Sequence, residues 1–359
     1  MPIRFDASRW ERVRENYARW WAGELKRPLV QVTLHGVDPG RPKPVLPMSG
    51  FTANYGLAVP PETVVDVWDH HLASQEYLGD AFPGIWPNFG PGVGAAFLGA
   101  VLEARWESVW FYPRHTADIA GLRLAFDAEN VWLRRVKDLC RAAVERWQGQ
   151  VLVGMTDIGG NLDLLSTFRP GEQLILDLYD HPGEVKRVTW EAHEAWWRIF
   201  DDINAVLQPV NPGYSAWTPI YSAEPYYMLQ CDFCYMIGPD MFDEFVKPEL
   251  AASCRRLGNA FYHLDGPGEL PHLDSLLTIP ELKGVQWVPG AGAKPCEQWP
   301  EVYRKIHEAG KLIQLWGGAS TLDTLVSQIG TAEGIVIMTG MPADRRSEAE
   351  AFLAKYGAL

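Results

Sequence analysis

An alternating α/β chain closing into an eight-stranded barrel is the fold class this sequence predicts, and three observations predict it. From residue 130 onward, short apolar runs alternate with helical-period segments of ten or more residues, the pattern of a parallel sheet covered by helices. Polar side chains recur just after the apolar runs, most densely in FYHLDGPGELPHLDSLLTIPELKGVQWVPG, residues 261–290. A chain of 359 residues is also long enough for one large barrel with added elements.

Taken in order, an amphipathic helix spans 8–25, with Asp6 or Ser8 as its N-cap, and Arg27-Pro28 separates it from the strand-like LVQVTL. The Pro- and Gly-rich stretch 37–61 reads as an irregular loop or lid in which Phe51 and Tyr55 still pack. A helix follows over 61–77. Residues 1–80 read together as an N-terminal extension or lid on a single domain spanning 1–359, with the 37–94 region also suited to a homodimer contact. The run GPGVGA has no apolar strand directly before it and no Gly-Lys-Ser/Thr, so its glycines serve backbone geometry rather than phosphate binding.

The regular part predicts helices over 131–147, 161–179, 182–207, 239–257, 270–277, 299–309, 321–329 and 343–356. Between them fall strands at 151–155, 213–217, 228–231, 260–262, 284–287, 311–315 and 334–338. These seven strands leave the eighth of a closed barrel to the first third of the chain.

A net charge of -13 without a long basic run argues against nucleic acid or an anionic membrane as partner and for a small molecule or another protein. The N-terminus MPIRFDASRWERVRENYARWW is charged and aromatic where a signal peptide is apolar, and no run reaches membrane-span length, so the expected compartment is the cytoplasm. Five cysteines, an odd number, do not form a disulfide framework. Most of the sixteen tryptophans suit partly buried core positions, while Trp86, Trp110, Trp217, Trp287, Trp299 and Trp316 sit beside Gly, Pro or a charge and are candidates to line a pocket.

The strand ends supply the chemistry. Asp157, Asp232, His263, Asp265, Gln286, Trp287, Gln314, Trp316 and Thr339 each follow or end an apolar run, and in a barrel such positions converge on one mouth. His263 and Asp265 lie two apart and share a strand face, so they bind a divalent metal together, or Asp265 orients His263 as an acid/base, or His263 is structural. Asp157 reads either as an acid/base or as a helix N-cap, and Asp232, Gln286, Trp287, Gln314 and Trp316 as substrate contacts. Tyr226, Tyr227 and Tyr235 suit packing, with Tyr226 also carried as a substrate contact, and His272 reads as surface or cap. Cys231-x-x-Cys234 lacks a second pair and a redox context, leaving one thiol as an option for a third metal ligand.

The run CDFCYMIGPDMFDEFVKPEL resembles the segment in which uroporphyrinogen decarboxylases and the related corrinoid-dependent methyltransferases pass from a strand-end Asp into a helix through Pro and Phe-x-x-Phe-x-x-Pro. NLDLLSTFRPGEQLILDLYDHPGEV is similar to the same superfamily's paired helices, and the likeness covers about 151–359. What the resemblance implies is a (β/α)8 TIM barrel with its site in the mouth. In the methyltransferase branch it implies zinc held by a strand-end His-x-Cys and a later Cys. Here His263 matches the first position, Asp265 stands at the second, and Gly340 and Met341 stand where the last Cys would be.

The expectation is therefore an enzyme of this superfamily acting on a small polar molecule, methyltransferase-like or lyase/decarboxylase-like, with one divalent metal such as zinc at His263 and Asp265 and a corrinoid protein as partner. A second reading is acid/base chemistry on a carbohydrate-like substrate, using paired carboxylates and stacking indoles. A third is a non-catalytic accessory protein of a corrinoid system.

Overall fold

A computed structural model describes residues 3–359; Met1 and Pro2, included in the N-terminal reading above, lie outside the described residues. Among the described residues, eleven strands are present: β1 (Leu29–His35), β2 (Gln75–Gly79), β3 (Gly84–Ile85), β4 (Val101–Arg105), β5 (Ser108–Tyr112), β6 (Leu152–Val153), β7 (Tyr226–Gln230), β8 (Asn259–Asp265), β9 (Leu282–Val288), β10 (Leu312–Trp316) and β11 (Ile335–Pro342). The main sheet runs β2-β1-β11-β10-β9-β8-β7, parallel except for β2. A second, two-stranded parallel ladder joins β3 to β6, and β4 and β5 form a hairpin.

The chain is therefore α/β with a parallel-rich sheet, as the alternation predicts. Among the described residues, however, no continuous ladder closes a barrel. The reason is local. β1 spends one edge on β11 and the other on antiparallel β2, so β3 finds no free edge there. On the other seam, residues 213–217 are not a strand; they join an isolated bridge, Tyr214 with Ser222, and Ser215 accepts a hydrogen bond from the Met155 amide at 2.9 Å. Pro83, Pro87, Pro219 and Pro225 flank these short pieces and supply no N–H for a ladder.

The helix ending at Ala73 is shorter than the expected 61–77, because Gln75 and Tyr77 alternate inward as strand β2. Helices Val131–Trp147 and Pro182–Leu207 have the predicted bounds, and Asp6 caps Ala7–Trp21 by accepting from the Arg9 amide at 3.0 Å. The expected helix over 161–179 is two, Asn161–Phe168 and Gln173–Asp180, broken at Pro170-Gly171. Strand β1, inside the segment set apart as an extension, lies within the main sheet. Trp10, Tyr17 and Trp20 of the first helix are buried against the same core, so that helix is part of the packed body.

Candidate functional site

The C-terminal ends of neighbouring strands β7, β8 and β9 bring three sequence candidates together. Parallel register places Gln230, His263 and Gln286 side by side, so their side chains leave the sheet on one face. Asp232, just beyond β7, then meets His263 and Asp265: one ligand atom from each lies within 4.8 Å of the others. His263 and Asp265 are half-buried and Asp232 is exposed at the rim. The Asp232 carboxyl is held above its usual range, first by the low-dielectric walls around it and then by Asp265, with His263 opposing.

Gln286 is buried and pairs its Oε1 with Nδ1 of His263. An amide oxygen can only accept, so Nδ1 is the donor in this pairing, which in the neutral ring leaves the lone pair on Nε2. That is the tautomer a metal-ligating imidazole needs, with its other nitrogen donating to a fixed partner. Trp217 meets the His263 ring edge-to-face at 5.0 Å, restricting it further. Two carboxylates and one oriented imidazole fit a divalent ion of intermediate to hard character better than the sulfur-rich zinc set of the methyltransferase branch. Neither thiol supplies the third ligand: Cys231 and Cys234 are buried with their pKa values raised, Cys231 first by its hydrogen bond with Cys234 and Cys234 first by burial.

Two buried carboxyls stand behind this set, and one of them was not among the sequence candidates. Asp157 is buried, its Oδ1 accepts from the Gly159 amide at 3.0 Å, and burial together with the charge of Asp232 pushes its pKa up to about 7. The N-cap of the following helix is Gly160, so Asp157 does not cap it; its carboxyl, with a pKa near neutrality, is suited to proton transfer. Glu269, missed by sequence reasoning, is fully buried, accepts from Tyr262 Oη at 3.3 Å and is pushed up to about 10 by burial and by Asp232 and Asp163. It is held as a neutral acid.

Asp163 was also missed. It accepts from the Phe233 amide at 2.8 Å and from the Asp232 and Gly160 amides at 3.2 Å each, pinning the turn that presents Asp232. An acidic residue in the first turn of the helix was its available signal. Gly160 is required for this approach, since a Cβ there would stand 2.1 Å from the Gln230 carbonyl oxygen.

Several expectations are corrected. Tyr226 is fully buried, with its hydroxyl 3.2 Å from Thr218 Oγ1 and its ring against Trp21, so it belongs to the core near the start of β7 and not to a substrate wall. Trp287 is one residue past Gln286, so alternation turns it to the opposite face, where it is buried against Trp299 at 5.3 Å. Gln314 is buried and donates from Nε2 to Met338 Sδ at 3.3 Å, which makes it a floor residue. His272 stands at the N-cap position of Leu273–Leu277, as one of its two readings had it, but not at the surface: it is buried, stacks on Phe242 at 4.8 Å and bonds the Cys234 carbonyl through Nε2 at 2.9 Å instead of capping with its side chain.

The tryptophan candidates divide by position. Trp86, Trp217 and Trp316 line a cavity of about 250 Å³ with Phe82 and Pro219, and the half-exposed Trp316 also reaches the adjoining hollow that Thr339 lines. Trp217 has a buried indole N–H with no partner in that region. Trp110 lines a separate cavity beside Asp232.

No protein-family model matches this chain, and no curated protein matches it. Among solved structures it is similar to macrophomate synthase, at 15% identity and a TM-score of 0.25, over 63% of this chain and 73% of that one. At that score the likeness carries no weight for fold or chemistry. Among the described residues, no helix is long and apolar enough to cross a membrane.

Proposed function

We propose that this chain is an enzyme of the uroporphyrinogen decarboxylase-like superfamily. In this reading it holds one divalent metal at Asp232, His263 and Asp265 and acts on a small, oxygen-bearing molecule in the mouth of a (β/α)8 arrangement. The observation that supports it is the convergence of these three side chains to within 4.8 Å, with His263 held in the metal-ready tautomer by Gln286. The barrel reading draws on six consecutive parallel strands, β1-β11-β10-β9-β8-β7, with the parallel pair β3–β6 as the remaining two. A bound ion would supply a Lewis acid at the site. Asp157, with a pKa of about 7, is the chain's own group for moving a proton there, and the indoles of Trp86, Trp217 and Trp316 line the adjoining cavity.

Carboxylate in place of thiolate favours an oxygen ligand on the substrate over a thiol acceptor. Methyl transfer with a corrinoid protein partner remains the reaction-level form that the resemblance supplies, and the lyase form uses the same residues. The carbohydrate reading draws on the indole-walled cavity, but two carboxylates that approach each other within 4.8 Å suit a shared ion better than the roughly 5–9.5 Å of a glycosidase pair.

Manganese titration followed by electron paramagnetic resonance tests the metal site. One equivalent bound by the wild type and lost in His263→Ala and Asp232→Ala is expected; unchanged binding in both variants sinks the reading. Incubation with methylcobalamin and a panel of hydroxyl and thiol acceptors, followed by absorbance, separates the methyltransferase form from the lyase form.

A further inference from the structure

Asp232 faces two environments. It belongs to the three-residue cluster, and it also lines a cavity of about 340 Å³ that neither His263 nor Asp265 reaches. We propose that this second cavity, walled by Trp110, Phe111 and Phe233 and floored by Gln230, is a subsite for an organic ammonium group of the substrate.

The charged and accepting groups of the lining carry the argument. None of the residues lining this cavity is Lys, Arg or His, while two of them, Asp163 and Asp232, are acidic. Ser166 spends its hydroxyl proton on the Asp163 carbonyl at 2.7 Å and presents only lone pairs. Gln230 is 8% exposed, and its Oε1 is buried with no hydrogen-bond partner. An unpaired buried acceptor is costly, and a ligand N–H is the group that removes the cost.

The walls point the same way. Trp110, on the β4–β5 hairpin, stays 58% exposed although it lines the cavity, so its indole face is available to a ligand. Aromatic faces attract a desolvated cation through the ring quadrupole, with Trp the strongest. Carboxylate, unpaired acceptor and indole around one cavity thus select positive charge with N–H groups over a neutral or anionic head. The protein's net charge of -13 favours the approach of such a ligand. This subsite rests on the metal-site reading only in sharing Asp232, and it extends that reading by placing an amine on the substrate beside its reacting end.

Calorimetric titration of the full chain with propylammonium, tetramethylammonium, 1-propanol and propionate tests it, with Mn2+ binding measured in parallel. Propylammonium binding tightest, tetramethylammonium weaker for want of an N–H, and propionate weakest is the expected order. Trp110→Ala and Gln230→Leu should each weaken propylammonium about tenfold while leaving Mn2+ binding as in the wild type. Because Trp110 is exposed, its variant keeps the test open if the buried Gln230 change disturbs folding. Equal binding of 1-propanol or propionate, no propylammonium binding at tens of millimolar, or wild-type affinity in Trp110→Ala overturns the subsite. Loss of Mn2+ binding at Asp232 and His263 is read separately, so failure of the metal site and failure of the subsite are distinguishable.

Discussion

The two ends of the main sheet treat their carboxylates in opposite ways. At the N-terminal end of β1, Asp80 is 1% exposed and receives Arg27 at 2.6 and 2.9 Å, Asn16 at 2.8 Å and the Val30 amide at 2.9 Å. Every direction of that carboxylate is spent. At the C-terminal ends of β7 and β8, Asp232 and Asp265 meet each other and His263, and among the described residues neither forms an ion pair with a Lys or Arg. A buried carboxylate with all its partners holds the chain together; carboxylates left to face one another have binding capacity to spare. In open α/β sheets ligands bind outside the carboxyl ends of the strands, the end at which the proposed site lies.

Breaking Asp80 should give the largest effect. Asp80→Ala strands the Arg27 guanidinium, and urea denaturation should show a loss of about 3–5 kcal/mol. Asp232→Asn and Asp265→Asn, by contrast, should leave stability unchanged or raise it slightly, since each removes like-charge repulsion. A large stability loss in either would erase the contrast between the two ends.

Gln286→Leu comes next. It removes the acceptor that fixes the His263 tautomer, and metal affinity should fall about 10–100-fold while the apo protein melts near the wild-type temperature. An unchanged affinity would mean that His263 is oriented by Trp217 alone.

Asp157 sharpens the comparison through pH. Its folded pKa of about 7 lies above the ordinary aspartate value of 3.8, so the folded state binds the proton more tightly than the unfolded one. The stabilisation from this group is complete below about pH 4 and is lost as pH rises toward 7, with a limiting slope of about 1.4 kcal/mol per pH unit. Asp157→Asn should therefore show a flatter stability curve across that window than the wild type. Parallel curves would place Asp157 in a more solvated setting than its burial indicates.

Tyr226→Phe is the smallest change. Losing the Thr218 partner should cost about 0.5–1.5 kcal/mol in denaturation and leave metal binding untouched. A metal or ligand effect would return Tyr226 to the site.

Much of this was legible in the sequence because periodicity and capping are local. Helices Val131–Trp147 and Pro182–Leu207 follow from a sustained 3.6-residue pattern, and the ends of β8 and β9 from apolar runs stopping at His263-x-Asp265 and Gln286. Trp287 was misplaced because a strand-end tryptophan is equally apt to line a pocket or to enter the core, and only the one-residue offset from Gln286 decides. Glu269 escaped notice because a carboxylate in a polar-looking loop gives no sign that other segments will bury it, and Asp163 because a first-turn helix acid gives no sign that the turn after β7 will pack against it. Residues 213–217 have the composition of a strand, but pairing depends on a free neighbouring edge, which sequence does not report.

The sequence by itself determined the α/β alternation, the strand that ends in His263 and Asp265, and the acidic character of the whole chain. Those follow from side-chain period and charge, which are properties of neighbours along the chain. Only the tertiary structure decided that Asp232, 31 residues before His263, completes the cluster, that Gln286 sets its tautomer, and that β2 occupies the edge a closing strand would have used. Those depend on parallel register and edge occupancy between distant segments, and register is set by packing across the sheet rather than by any one strand.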